Sequence, residues 1–506
     1  MASYYLTTAI DYSNGEPHVG HAYEKVGADV IARYHRLRGD DVHFVIGMDE
    51  HGQGVAREAA RQGMDPQAWV DRLAEGFQSA WKQLDISHDD FIRTTQSRHS
   101  AAVQELVRRI QASGDIYTDR YEGYYCERCE AFRKDSELVD GRCVFHPSRE
   151  IAWTEEENYF FRLSRYREPL LDHIASNPGF IQPESRRNEI VRLLESGLED
   201  ISASRSRVPW GVPFPGDEEH TVYVWFDALP NYISAIGFPG EDYPRRWPAQ
   251  LHVIGKDITR FHCVIWPAML MSAGLRLPET VWAHGFVMIG GGKLSKSEAS
   301  RLDLEALIER HGADAFRYIL LREAPWDRDR DFPSVESFLE QFDDRYNADL
   351  ANDLGNLLNR SLTMVRKYRA GRVPARGETE LDRAVDEALT AYHESMSALA
   401  LHDGLEAAMS VVRSSNGFID TEQPWKLARD ADAAVRLDAV LAALVRSLGT
   451  VSVALYPFMP QKATEMWGRL GGDGPPPRFE DLPARLPLEL PSTPGPVLFP
   501  RTDRAG

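Results

Sequence analysis

The first residues, YYLTTAI, are apolar, aromatic and β-branched. A turn-rich DYSNGEP follows, and then an amphipathic stretch runs from His18 to Leu37. That order predicts strand, loop, helix. The pattern repeats in DVHFVIGMDEHG, with a strand to Ile46 and a polar turn, before a helix opened by Asp65 as cap and Pro66 in its first turn. Strands alternating with helices imply a parallel sheet covered by helices.

From about Asp115 to Asp217 short strands, aromatic clusters and cysteines take over, and α/β character returns at TVYVWFDALPNYISAIG and LHVIGKDITRFHCVIWPAML. The middle segment reads as an insertion. After about Asp331 the strands stop. Patterns such as LANDLGNLLNRSLTMV and AAVRLDAVLAALVRSLGTVSVAL place apolar residues three and four apart, which predicts a helical bundle. GGDGPPPRFEDLP, from Gly471, reads as a linker to a Pro-rich tail.

Composition narrows this picture. A chain of 506 residues exceeds one ordinary core and suggests about three domains. With 43% hydrophobic and 27% charged residues the chain is expected to be soluble, and no run approaches the roughly 18 apolar residues of a membrane span. The N-terminus lacks the basic and apolar regions of a signal peptide. Three of four cysteines cluster between Cys126 and Cys143, favouring a metal and a reducing compartment, so the cytoplasm is expected. A net charge of −19 argues against wholesale coating of nucleic acid but leaves room for a local basic track.

Cys126 and Cys129, followed by Cys143 and His146, form two ligand pairs with zinc-knuckle spacing. Four protein ligands close a tetrahedral site, so one structural Zn2+ is expected there. His18 and His21 could be metal ligands, core residues or phosphate donors. The knuckle and the lack of a third nearby ligand weaken the first option. The position of the pair, where a first strand gives way to a helix, favours the last, because exposed amides and the helix dipole attract anions there. Gly20 lets a flat ring approach the backbone. GGGKLSKSEAS adds Lys293 and Lys296 behind three glycines. Such a loop can bring two ammonium groups onto a polyphosphate, although Leu294 after the lysine rules out a Walker A loop.

HVGH and KLSKS resemble the two signatures of class I aminoacyl-tRNA synthetases. Within that class the chain resembles the methionyl-tRNA synthetases over essentially its whole length, through MDEHG, YEGYYCERCEAF, RRNEI, YVWFDALPNY, IGKDITRFHCVIWPAML, AHGF, NDLGNLLNRS and QPWKL. The resemblance implies an α/β Rossmann-like catalytic domain in two halves, 1–114 and 218–330. A connective domain with the zinc knuckle separates them at 115–217, and a helical anticodon-binding domain follows at 331–470, with a linker and tail at 471–506. It implies activation of methionine by ATP and transfer to tRNA(Met), initiator and elongator, with Mg2+ travelling with ATP. His18, His21, Lys293 and Lys296 would stabilise the phosphates, with Gly20, Gly255, Asp257 and His262 also lining the ATP site. Ile10, Tyr12, Trp225, Ala228, Tyr232 and His284 would surround the methionine side chain and Asp49 would take its ammonium group. Asn356, Arg360 and Trp425 would read the anticodon, with Arg360 and Arg366 in a basic track. Lacking an oligonucleotide-binding extension, the chain is expected to be a monomer.

Two departures from that pattern stand out. Leu294 replaces the usual methionine, and SEASRLDLEAL replaces the Gly and Asn that commonly follow, setting Glu298 two residues from Lys296. Two other readings stay open at this point, a synthetase for another amino acid and a catalytically silent RNA-binding relative.

Overall fold

The structure is a computed structural model that describes residues 2–126, 131–133, 138–143, 151–206, 208–293, 302–375, 377–492 and 495–502. The chain sets out with β1 (Ser3–Thr8), β2 (Asp11–Tyr12), α1 (Val19–Leu37), β3 (Asp41–Asp49), α2 (Gln53–Arg61), α3 (Pro66–Gln83), β4 (Asp90–Arg93) and α4 (Ser97–Ala112). β1 and β2 both lie parallel to β3, but their register differs: Thr7 faces Val45, whereas Asp11 faces Met48. One extra residue therefore sits between Thr8 and Asp11, and the strand bulges at Ala9 and Ile10. β3 itself runs past the predicted Ile46 to Asp49, because Met48 pairs with both Asp11 and Arg93. The first residues of MDEHG are thus the end of a strand.

An antiparallel unit follows, built from β5 (Ile116–Cys126), β6 (Ala131–Arg133), the hairpin of β7 (Leu138–Val139) and β8 (Arg142–Cys143), and β9 (Ala152–Phe161). Next come α5 (Arg167–Ser176), β10 (Ile181–Gln182), α6 (Glu184–Glu195), β11 (Ile201–Ser202), β12 (Ser204–Arg205), β13 (Pro213–Phe214) and β14 (Asp217–Val222). Within the segment read as an insertion, β10 returns to the main sheet. After α7 (Val224–Ala228) and α8 (Asn231–Ser234), β15 (Leu251–Gly255), α9 (Trp266–Ser272) and β16 (Val281–His284) complete a seven-stranded sheet ordered β10-β16-β15-β1-β3-β2, with β4 also on β3. All its pairings are parallel. β10 docks there because Phe180 and Ile181 are buried in the apolar cluster that holds Val281 and Ile254. The small sheet of β17 (Val287–Ile289), β18 (Gly292–Lys293) and β19 (Arg330–Phe332) carries the glycine-rich hairpin.

The helices Asn356–Arg369, Glu380–Ser397, Leu401–Glu422, Ala434–Leu455 and Pro460–Leu470 form the bundle. Ala434–Leu455 is long and apolar enough to cross a membrane, unlike any run anticipated from the sequence, yet most of it is buried against its neighbours. The residues read as a linker and tail also pack: Val373 N–H donates to Leu488 O at 2.8 Å, and Leu490, Leu498 and Phe499 are buried. Arg317, fully buried, joins the bundle to the sheet domain. Its guanidinium donates to Leu84 O, Pro457 O and Phe458 O and pairs with Asp29 at 2.7 Å. Such a cation keeps its charge inside a core only when every donor finds an acceptor.

Candidate active site

His18 is the N-cap of α1, and its ring Nδ1 accepts the Gly20 N–H at 3.0 Å. In turn the His18 N–H donates to His21 Nδ1 at 3.2 Å, closing a capping box built from two imidazoles. An amide can only donate, so both Nδ1 atoms are acceptors and both ring protons sit on Nε2. The rings stack with centroids 3.8 Å apart. Burial pushes His18 down to about 4 and His21 well below its usual range, with Lys25 and the other imidazole adding to the effect on His21. The turn therefore offers two neutral N–H donors at a helix N-terminus, a geometry that suits phosphate oxygens. Gly20 is required by this arrangement, since a Cβ there would lie 2.9 Å from His18 Cε1.

Ile10, Trp225 and Tyr232 share one apolar cluster, to which Ile258 and Phe261 also belong. Tyr12 packs instead against the cluster on the α1 side. Trp225 stacks on Phe261 with ring centroids 3.5 Å apart and planes 7° from parallel. Tyr232 is held from three sides. Tyr5 Oη donates to its carbonyl at 2.6 Å, His252 lies 4.2 Å from its ring, and its own hydroxyl meets His262 Nε2 at 2.6 Å. His262 Nδ1 lies 3.0 Å from Ile258 O, which only accepts, so Nδ1 carries the proton and the Tyr232 hydroxyl donates to Nε2. Burial pushes His262 down to about 4, in keeping with that neutral tautomer. His262 sits in a π-type turn, Phe261–Ile265, a local widening common at functional sites. His262, expected on the ATP side, is thus hydrogen-bonded to Tyr232, expected at the methionine side chain.

Of the other predicted residues, Asp49 ends β3 and is buried, as are Ala228 and His284, while Asp257 is exposed. Gly255 and His284 face each other across β15 and β16. A Cβ on Gly255 would lie 2.9 Å from Asp257 Oδ1.

Sequence reasoning missed the support behind these residues. Asp227, fully buried, bonds His51 Nδ1 at 2.6 Å and His99 Nε2 at 2.9 Å, and His99 Nδ1 meets Ser234 Oγ at 2.9 Å. Despite burial, the two imidazoles hold the Asp227 carboxyl down at about 2. This network fixes α7, which carries Trp225 and Ala228, to the MDEHG segment and to α4. Glu50 is clamped by Arg93 Nε at 2.6 Å and Thr95 Oγ1 at 2.5 Å, and its carbonyl takes Trp210 Nε1–H at 2.6 Å. The acids and imidazole of MDEHG and the lone acid of VWFDALPNY were the signal that could have revealed Glu50, His51 and Asp227; nothing local pointed to His99.

Lys293 lies in β18, after Gly290 and Gly291, both at positive φ. Lys296 and Glu298 lie outside the described residues, as do Cys129 and His146. Cys126 and Cys143 are described, at the ends of β5 and β8, and both are buried. Two buried thiols are the soft donors a zinc site uses. In the bundle, Asn356 and Arg360 share a helix, Arg360 pairs with Asp420 at 2.9 Å, and Trp425 is 38% exposed.

Comparison with known proteins follows the same lines. The family model described as tRNA synthetases class I (M) matches residues 4–150 and 134–362. A methionine–tRNA ligase of Thermosynechococcus vestitus is 45% identical over 92% of this chain and 89% of its own length. One from Streptomyces coelicolor is 42% identical over 99% and 97%. Among solved structures, Mycobacterium tuberculosis methionyl-tRNA synthetase in complex with methionyl-adenylate aligns at a TM-score of 0.93 and 42% identity, covering 99% of this chain and all of that one. The free form of that enzyme aligns at 0.87 and 40%.

Proposed function

The chain belongs to the methionyl branch of the class I tRNA synthetases, and from that premise we propose how its residues divide the work. The enzyme is a methionine–tRNA ligase. It joins methionine to AMP with release of pyrophosphate, then passes the methionyl group to the 3′ end of tRNA.

In our reading the first step is carried by positioning and charge stabilisation. A methionine carboxylate oxygen attacks the α-phosphorus and the bond to pyrophosphate breaks. His18 and His21 donate from Nε2–H to phosphate oxygens, and the observation that carries this assignment is their shared capping box, which commits both Nδ1 atoms and leaves both Nε2–H groups as donors. Neutral donors take no proton from the reaction, so they bind the triphosphate without a titration step. Lys293 and Lys296 neutralise the departing pyrophosphate, and Gly255 and Asp257 line the nucleotide side. Mg2+ enters with ATP and supplies further charge neutralisation.

Ile10, Tyr12, Trp225, Ala228, Tyr232 and His284 form the side-chain pocket, with Asp49 receiving the ammonium group. A thioether bonds weakly and is selected by shape and polarizable contact, which a stacked Trp225–Phe261 wall provides. His262 lines the nucleotide side with Gly255 and Asp257 and also supports Tyr232 by accepting a hydrogen bond from its hydroxyl at Nε2. Cys126, Cys129, Cys143 and His146 hold a zinc ion that stabilises the antiparallel unit. Asn356, Arg360 and Trp425 read the anticodon, Trp425 by stacking on an unstacked base and the other two through base edges.

ATP–pyrophosphate exchange with each of the twenty amino acids tests the activation half of this reading. Exchange driven by methionine and abolished in His21→Ala is the expected result. Methionine-dependent exchange at the parental rate in His21→Ala sinks the phosphate assignment.

A further inference from the structure

Lys25 is fully buried, one helical turn beyond His21 on α1. Its three ammonium protons have three acceptors: Ala9 O at 2.9 Å, Asp11 Oδ1 at 2.9 Å and Glu24 Oε1 at 2.7 Å. Two of these belong to the bulge and the start of β2, Ala9 in the connection and Asp11 as the first residue of the strand. Ala9 and Ile10 lie at the bulge, and Asp11 is flanked by Ile10 and Tyr12, both assigned to the methionine pocket. The third acceptor extends the chain, since Glu24 Oε2 lies 3.1 Å from His284 Nε2, while His284 Nδ1 contacts Gly285 O at 2.7 Å. Polar contacts thus run unbroken from β2 through α1 to the end of β16, linking elements that carry the ATP-side histidines and the amino-acid wall.

We propose that Lys25 is a positioning residue for methionine activation, its buried ammonium clamping the bulged Ala9–Tyr12 segment to α1 so that the methionine wall stays in register with His18 and His21. The energetics fit a clamp. A buried ammonium is costly unless paired, and here two carboxylates and a carbonyl saturate it. Burial pushes Lys25 down, yet Asp11 and Glu24 more than offset this and hold it above its ordinary value. Burial likewise pushes the Asp11 carboxyl up to about 7 against the pull of Lys25, and Asp11 Oδ2 has no hydrogen-bond partner. Asp11 therefore depends on Lys25 for its charge and its place. A bulge gives up ladder hydrogen bonds; here Ala9 N–H still donates to Val253 O and Thr8 Oγ1 donates to Ala9 O, and the ammonium adds the bond that ties Ala9 O to α1.

The proposal rests on the assignment of His18 and His21 to phosphate and of Ile10 and Tyr12 to methionine, and the test separates the two. The full chain is compared with Lys25→Met, with the double variant Lys25→Met/Asp11→Asn and with His21→Ala. Each is measured by ATP–pyrophosphate exchange normalised to active sites titrated by adenylate formation, and by thermal unfolding. The double variant removes the ammonium and its partner acid together, so it leaves no lone charge at Asp11 and decides the matter if Lys25→Met proves too unstable to purify. The expected result is a fall in kcat per active site on the order of tenfold to a hundredfold in the double variant, with a raised KM for methionine, because misplacing reacting groups by about 1 Å costs that much. Parental kcat and KM per folded site, with only a lowered melting temperature, overturns the proposal and leaves Lys25 a structural ion pair. Parental exchange in His21→Ala overturns the underlying site reading instead, whatever Lys25 does.

Discussion

Replacing Gly20 with alanine separates the stability of α1 from its function. A Cβ at this position would sit 2.9 Å from His18 Cε1 and 3.1 Å from Nδ1, where ordinary contact begins near 3.4 Å. The imidazole must therefore retreat by roughly half an ångström, stretching the 3.0 Å bond from Gly20 N–H toward the limit at which it ceases to count. Losing that cap costs about 1 kcal/mol. Alanine in place of glycine within a helix returns about 1 kcal/mol. The two nearly cancel, so the melting temperature is expected to move by no more than a few degrees. Catalysis has no such compensation, because the displaced ring carries the Nε2–H donor away from the phosphate and breaks its stack on His21. A tenfold to hundredfold loss of kcat in ATP–pyrophosphate exchange is expected, on the order of what small misplacements cost elsewhere. Thermal unfolding and exchange on the same preparation decide the case. A variant with kcat within about twofold of the parent, at unchanged melting temperature, would refute the reasoning that the capping geometry aims His18.

Tyr232→Phe removes the hydroxyl that donates to His262 and leaves that buried Nε2 without its donor; stability is expected to fall by about 1–3 kcal/mol in chemical denaturation, with KM for methionine raised. His262, held near 4 against an ordinary 6.5, keeps the folded state from binding a proton that the unfolded chain takes up, so its contribution to stability is lost as pH falls from 6.5 toward 4. The unfolding free energies of the parent and His262→Gln should accordingly converge by up to about 3 kcal/mol between pH 7 and pH 4. A gap that is constant with pH contradicts the neutral tautomer. Trp425→Ala should reduce kcat/KM for tRNA charging at least tenfold while methionine-dependent exchange stays at the parental rate, since base stacking is worth about 1–3 kcal/mol and Trp425 lies in the helical bundle.

The alternation of apolar runs with amphipathic stretches was enough to announce a parallel sheet covered by helices and a trailing bundle, because period two and period 3.6 are written locally in the chain. The two histidines flanking Gly20 were equally legible, since that motif acts through neighbours a few residues apart. What could not be read was anything that depends on residues distant in sequence meeting in space. The bulge at Ala9 appears only when β1 and β2 are laid against β3. The return of Ile181–Gln182 to the sheet needs a partner a hundred residues onward, and the packing of the tail needs the bundle it lies on. Nothing in Lys25 itself foretold burial, because lysine is almost always solvated; it goes inside only because folding brings Asp11, Glu24 and the carbonyl of Ala9 to one point. His51, Asp227 and His99 likewise become a network only when the turn after β3 meets α7 and α4. Local periodicity thus settles which elements form and which motifs they carry, while the charge state and aim of each functional side chain belong to the tertiary structure, where burial and non-local partners set the cost of every proton.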